Sequence, residues 1–137
     1  MATIDMQSMR YINLLDNVSN VKTRKCFIYN NILFFAVPER FVSKAIGSSA
    51  SNVKKLQEKI GRKIKVIKEP EGIGGAQRFV EEVVGINLKS LEVRDGVMTI
   101  TGGSNQNKAT LIGRNKRRFE ELKKIIHDFF GTDLKVV

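Results

Sequence analysis

The chain has no tryptophan, one cysteine, one histidine and only 14 acidic side chains against 24 basic ones in 137 residues. Each shortage excludes something. Cys26, being alone, can form neither an intramolecular disulfide nor a cysteine-based zinc cluster, which fits a reducing compartment. A lone His127 builds no metal site. The longest apolar run, Ile32 to Val37, is far below the roughly 20 residues a membrane-spanning helix needs. Met1 to Arg10 carries Asp5 and no apolar core of a secretion signal. The expectation is a soluble, cytoplasmic protein with no membrane contact, no metal, no cofactor and no small-molecule substrate.

The scarcity of acid leaves a formal charge of +10, a large positive field for so small a body. An anionic partner is implied, and nucleic acid is the commonest one; the plainer alternative is a basic surface with no such role. With 42% hydrophobic and 28% charged residues, the chain is long enough for one ordinary domain or two small ones.

Hydrophobic spacing decides for two. Tyr11, Leu14, Leu15 and Val18 predict an amphipathic helix up to about Asn17. Cys26 to Tyr29 and Ile32 to Val37 predict strands joined at Asn30-Asn31, a pair that tolerates the positive φ of a tight hairpin. Pro38 opens a short helix carrying Phe41, Val42, Ala45 and Ile46, which Gly47 interrupts. Val53, Leu56 and Ile60 mark a further helix capped by Gly61, and Lys63 to Ile67 a strand.

The order then repeats. Ala76, Phe79, Val80, Val83 and Val84 stripe a helix, and Leu91 to Arg94 and Val97 to Thr101 flank the hairpin signal Asp95-Gly96. Ser104 is an N-cap candidate for a helix ending at Ile112-Gly113. Phe119, Leu122, Ile126 and Phe129 stripe a last helix, which Gly131 ends before a strand over Leu134 to Val137. Ile46-Gly47 matches Ile112-Gly113, and GRKIKVI from Gly61 matches GTDLKVV from Gly131. The spacing between copies grows slightly, so the second final helix is the longer. KEPEGIGG, Lys68 to Gly75, is the natural boundary, which gives domains 1–70 and 71–137.

Both glycines lie at bends between helices, where backbone N–H groups and a helix N-terminus favour anions. No Asp or Glu occurs from Arg40 to Gln57, nor from Gly96 to Phe119. Arg114, Lys116, Arg117 and Arg118 crowd a helix start, where cations oppose the macrodipole by roughly 0.3–1 kcal/mol each. A bound phosphate would reverse that sign; a solvated charge run is the alternative. In the first bend Ser48, Ser49 and Ser51 offer hydroxyls for phosphate or for N-capping, with Lys54 and Lys55 one turn on.

The element order resembles the type II KH domain of prokaryotes, and IGSSASNVKKL resembles its IGxxGxxI signature. Two such units are similar to the KH pair of the NusA family and to short archaeal NusA-like proteins, over roughly residues 4–137. The resemblance implies an α+β fold of two tandem type II KH domains, each a three-stranded sheet with helices packed on one face. It also implies single-stranded RNA as partner, gripped on its backbone by a GxxG loop, with bases in an apolar groove. By position the clamps are Gly47, Ser48, Ser49, Ala50 and Gly113, Arg114, Asn115, Lys116, flanked by Lys54, Lys55 and Arg117. Both depart from the family at the last glycine. Ala50 is expected to fit if its φ stays negative, while Lys116 either hinders the approach or replaces a backbone contact with a charge.

Groove candidates are Ile46, Val53, Val66 and Ile112, for which core packing is the competing role. Lys65 and Lys135 either flank the groove or blunt an edge strand. The family further implies action in transcription elongation or termination beside RNA polymerase. A ribosome or ribonucleoprotein assembly factor is the other reading.

No catalytic set emerges, so no enzyme is expected. EGIGGAQRF lacks a phosphate-loop pattern and reads as linker. Cys26 reads as an inert strand thiol, and His127 as a helix-end dipole contact. Glu81-Glu82 and Glu120-Glu121 are helix neighbours whose side chains diverge.

Overall fold

In the computed structural model, which describes residues 6–137, the chain divides into two compact units, Met1–Glu69 and Pro70–Val137. The reading of a leader-free start falls partly on Met1 to Asp5, outside the described residues. Among those described, six α-helices and two three-stranded sheets form an α+β structure.

The first unit runs α1 (Met6–Ser19), β1 (Lys25–Tyr29), β2 (Ile32–Val37), α2 (Val42–Ile46), α3 (Ser51–Ile60) and β3 (Lys63–Lys68). Asn20, at φ 60°, ends α1, and Ser19 Oγ donates to Leu15 O at 2.7 Å and accepts from Val21 N at 3.2 Å. Asn30 and Asn31 both adopt positive φ, 49° and 66°, as a two-residue hairpin needs. In the sheet, β2 pairs antiparallel with β1 and parallel with β3, so Leu33 faces Ile64 and Phe35 faces Val66. Alternation puts Leu33, Phe35 and Val37 under the helices, where they join Tyr11, Leu15, Ala45, Leu56 and Ile64 in one buried cluster. Such a side chain contributes about 1.5–3 kcal/mol when fully buried. The other face of β2 is apolar too: Phe34 and Ala36 are buried, and Phe27 stacks on Phe34 with ring centres 5.2 Å apart.

The second unit follows the same plan with α4 (Ala76–Val84), β4 (Ser90–Arg94), β5 (Val97–Thr101), α5 (Asn105–Ile112), α6 (Arg117–Phe130) and β6 (Asp133–Val136). Its sheet has the same senses, antiparallel β4–β5 and parallel β5–β6, with Met98 facing Leu134 and Ile100 facing Val136. Phe79 of α4 meets Phe129 and Phe130 of α6 at 4.7 and 6.0 Å between ring centres. Ser104 caps α5, accepting from Asn107 N at 3.1 Å. The final helix α6 has 14 residues against 10 in α3.

Candidate nucleic-acid interface

Each unit bends between its last two helices by the same backbone route. α2 closes with Gly47 N donating to Ser43 O at 2.9 Å, and α5 with Gly113 N donating to Ala109 O at 2.8 Å. Gly47 then takes φ 80°, ψ 167° and Gly113 φ 73°, ψ 175°, a region essentially restricted to glycine. A Cβ on Gly47 would meet Ser51 Oγ at 2.8 Å and Asn52 Cγ at 2.9 Å. On Gly113 it would meet Arg118 Cγ at 2.6 Å, with Arg118 N at 3.0 Å. Next comes a single helical turn containing two left-handed residues, Ser49 (φ 53°) and Ala50 (φ 59°), or Asn115 (φ 56°) and Lys116 (φ 59°). Ala50 N donates to Gly47 O at 3.1 Å and Lys116 N to Gly113 O at 3.2 Å, closing each turn. The N–H groups ahead of that bond, those of Ser48 and Ser49 or Arg114 and Asn115, find no acceptor within the turn itself.

The condition set for Ala50, a negative φ, is therefore not met. Both positions where the KH pattern has its second glycine are left-handed, at about 1–2 kcal/mol of strain for an L side chain. Four of the eight non-glycine residues at positive φ among those described lie in these two bends, and the rest occupy hairpins or a helix end. Strain twice repeated at an exposed bend is the kind that functional sites retain.

Ser48, Ser49, Lys54 and Lys55 are exposed, as are Arg114, Asn115, Lys116 and Arg117, while Gly47, Ala50 and Gly113 are half-buried. No serine side chain caps the start of α3, whose N-cap position is Ala50. Of the four cations crowding α6, Arg118 is engaged: its guanidinium lies 3.0 Å from Glu121 Oε1 and both side chains are largely buried. Arg114, Lys116 and Arg117 make up the exposed basic cluster. Asn52, the residue matching Arg118, donates instead to Lys44 O at 3.1 Å and ties α3 back to α2.

Beside the second bend opens a cleft of about 250 Å³ lined by Ile112, Lys116, Phe119, Leu134, Lys135 and Val136. Ile112 and Lys135 were candidates for such a groove, beside the competing roles of core packing and of an edge-strand lysine. Phe119, Leu134 and Val136 were not: Phe119 reads as part of the α6 core stripe, and only the repeat, which pairs it with Val53 and pairs Val136 with Val66, could have disclosed them. In the first unit Val53 and Val66 pack partly buried against the core cluster. β3 and β6 are sheet edges. In each, the first outward N–H is covered by a side chain, Ile64 N by Gln57 Oε1 at 3.2 Å and Leu134 N by Asp133 Oδ1 at 2.9 Å.

The remaining singled-out residues have structural partners. Glu81 accepts from Leu88 N at 2.8 Å whereas Glu82 pairs with Arg78, so the adjacent carboxylates do diverge. Cys26 is half-buried with Sγ 3.8 Å from Ser8 O. His127 is exposed near the end of α6, its carbonyl accepting from Gly131 N. Among the described residues no group of His, Cys, Asp and Glu could hold a metal ion, and no helix is long and apolar enough to cross a membrane.

These features define a class: an α+β chain of two like units, each with a glycine-led left-handed bend and a basic rim. No protein-family model matches the chain, and no curated protein does. A solved structure described as "Crystal structure of APE1850" is similar, with a TM-score of 0.67 and 24% identity over 98% of this chain and 100% of that one. The likeness is one of fold.

Proposed function

We propose that this chain binds single-stranded RNA through two tandem type II KH modules, 1–70 and 71–137, as a NusA-like factor acting in transcription elongation or termination. The observation that carries the reading is the repeated bend. Two stretches that share only a glycine, GSSA and GRNK, adopt matching dihedrals at matching places, exposed and within acid-free sequence. Phosphate is the natural complement of such N–H-rich turns beside helix N-termini. The apolar cleft next to the second bend supports the reading, since a KH module receives bases beside its clamp. RNA polymerase is the proposed protein partner, the cytoplasm the proposed location, and neither catalysis nor a cofactor is part of the proposal.

The test is a titration of the whole chain with single-stranded and duplex RNA of equal length over a range of salt. Single strands should bind more tightly, with log K falling linearly in log salt at a slope of about −0.7 per phosphate contacted. Tighter binding of duplex would instead favour an assembly factor for structured ribonucleoprotein, and a flat salt response would remove the phosphate clamp.

A further inference from the structure

The cleft of the second unit carries chemistry that its counterpart positions in the first do not. Its walls are Ile112, Phe119, Leu134 and Val136, with Lys116 and Lys135 exposed at its rim. The repeat sets Ile46, Val53, Ile64 and Val66 against those walls, and Ala50 and Lys65 against the rim. The second unit thus has an aromatic ring and two ammonium groups where the first has no ring and one ammonium. Two acids adjoin the lining in sequence: Glu120, exposed on α6 next to Phe119, and Asp133, one oxygen of which accepts from Leu134 N at 2.9 Å and lies 3.8 Å from Lys123 Nζ. At about 250 Å³ the cleft falls below the roughly 300–1,000 Å³ that encloses a drug-sized ligand, and suits one flat ring system.

We propose that this cleft selects a keto nucleobase, uracil or guanine, and that the second unit therefore sets the base preference of the chain. The inference rests on the RNA-binding reading above. A lysine ammonium has three donors and no acceptor. It can donate to a uracil O4 or a guanine O6, the positions at which cytosine and adenine carry an exocyclic amino donor; the N7 acceptor is common to both purines and does not discriminate. Donor would then face donor beside two positive charges. Phe119 and the aliphatic walls hold the ring of any base, by stacking that is indifferent to sequence. The apolar lining supplies affinity and the two lysines supply the choice.

The experiment compares the binding of the full chain to matched single-stranded octamers by fluorescence anisotropy. Oligouridine against oligocytidine reads uracil, and alternating guanine-adenine against oligoadenosine reads guanine. The wild type should prefer the keto member of each pair by roughly five- to tenfold, the size of one good base-edge contact. Lys116→Gln with Lys135→Gln, both exposed and replaced by a side chain that offers donor and acceptor alike, should bring that ratio close to one. Arg114→Gln with Arg117→Gln removes the same charge outside the cleft lining, and should weaken all octamers while leaving the ratio in place. Equal binding of all octamers by wild type, or a ratio that survives the double lysine substitution, overturns the keto selection and leaves RNA binding standing. No binding of any octamer overturns both.

Discussion

Ala50 and Lys116 both sit at φ 59°, where an L side chain is strained by about 1–2 kcal/mol. Glycine at position 50 would remove that strain but would free the unfolded chain by about 0.4–1 kcal/mol. The difference favours the substitution, so Ala50→Gly should stabilise the first unit by about 0.5–1 kcal/mol in urea unfolding, and a loss of stability would contradict the left-handed assignment. Gly113→Ala works in the opposite direction: positive φ and a Cβ 2.6 Å from Arg118 Cγ and 3.0 Å from its backbone N should cost about 1–3 kcal/mol. At this scale the glycines were legible because they recur before matching helices. The sign of φ at residue 50 was not, since alanine is rarely left-handed and only the fold around it makes it so.

The elements most legible in the sequence are those governed by local chemistry. Asn30-Asn31 and Asp95-Gly96 turn where their residue types allow positive φ, and Asp95 takes φ 51°. The single-turn helix at Ile73–Gly75 went unforeseen, because three residues carry no periodicity, and the helix that Pro38 opens is split into a single turn, Glu39–Phe41, and α2. Strand ends moved by a residue: β1 begins at Lys25, β4 at Ser90, and β6 spans Asp133–Val136 rather than Leu134 to Val137. There the pairing of backbone groups with a neighbouring strand, absent from any local pattern, decides. The cap of α5 is a local feature with a measurable weight. Ser104 Oγ accepts from Asn107 N at 3.1 Å, so Ser104→Ala should lower stability by about 1 kcal/mol, seen as an earlier thermal unfolding of the second unit.

Over the whole chain the formal charge of +10 and the two acid-free windows were evident from composition and order alone. What composition could not disclose is how residues far apart in sequence come together. Ile112 to Phe119 meets Leu134 to Val136 in one cleft only because β6 pairs parallel with β5 and returns beneath α5 and α6. For the same reason Arg118 looked available in a linear charge run, yet the helix turns it onto Glu121. The reverse holds for the bends, whose exposure follows from their place between two helices and whose charge follows from sequence. RNA binding as proposed therefore requires both bends as phosphate contacts. Ser48→Asp, Ser49→Asp, Arg114→Asp and Asn115→Asp combined put carboxylates there, and at the left-handed positions 49 and 115 aspartate is among the better-tolerated residues. Affinity of this variant for single-stranded RNA, measured beside its circular dichroism, should fall at least about a hundredfold with the fold intact, since several phosphate contacts are lost or reversed. A folded variant that binds as tightly as wild type would contradict the account.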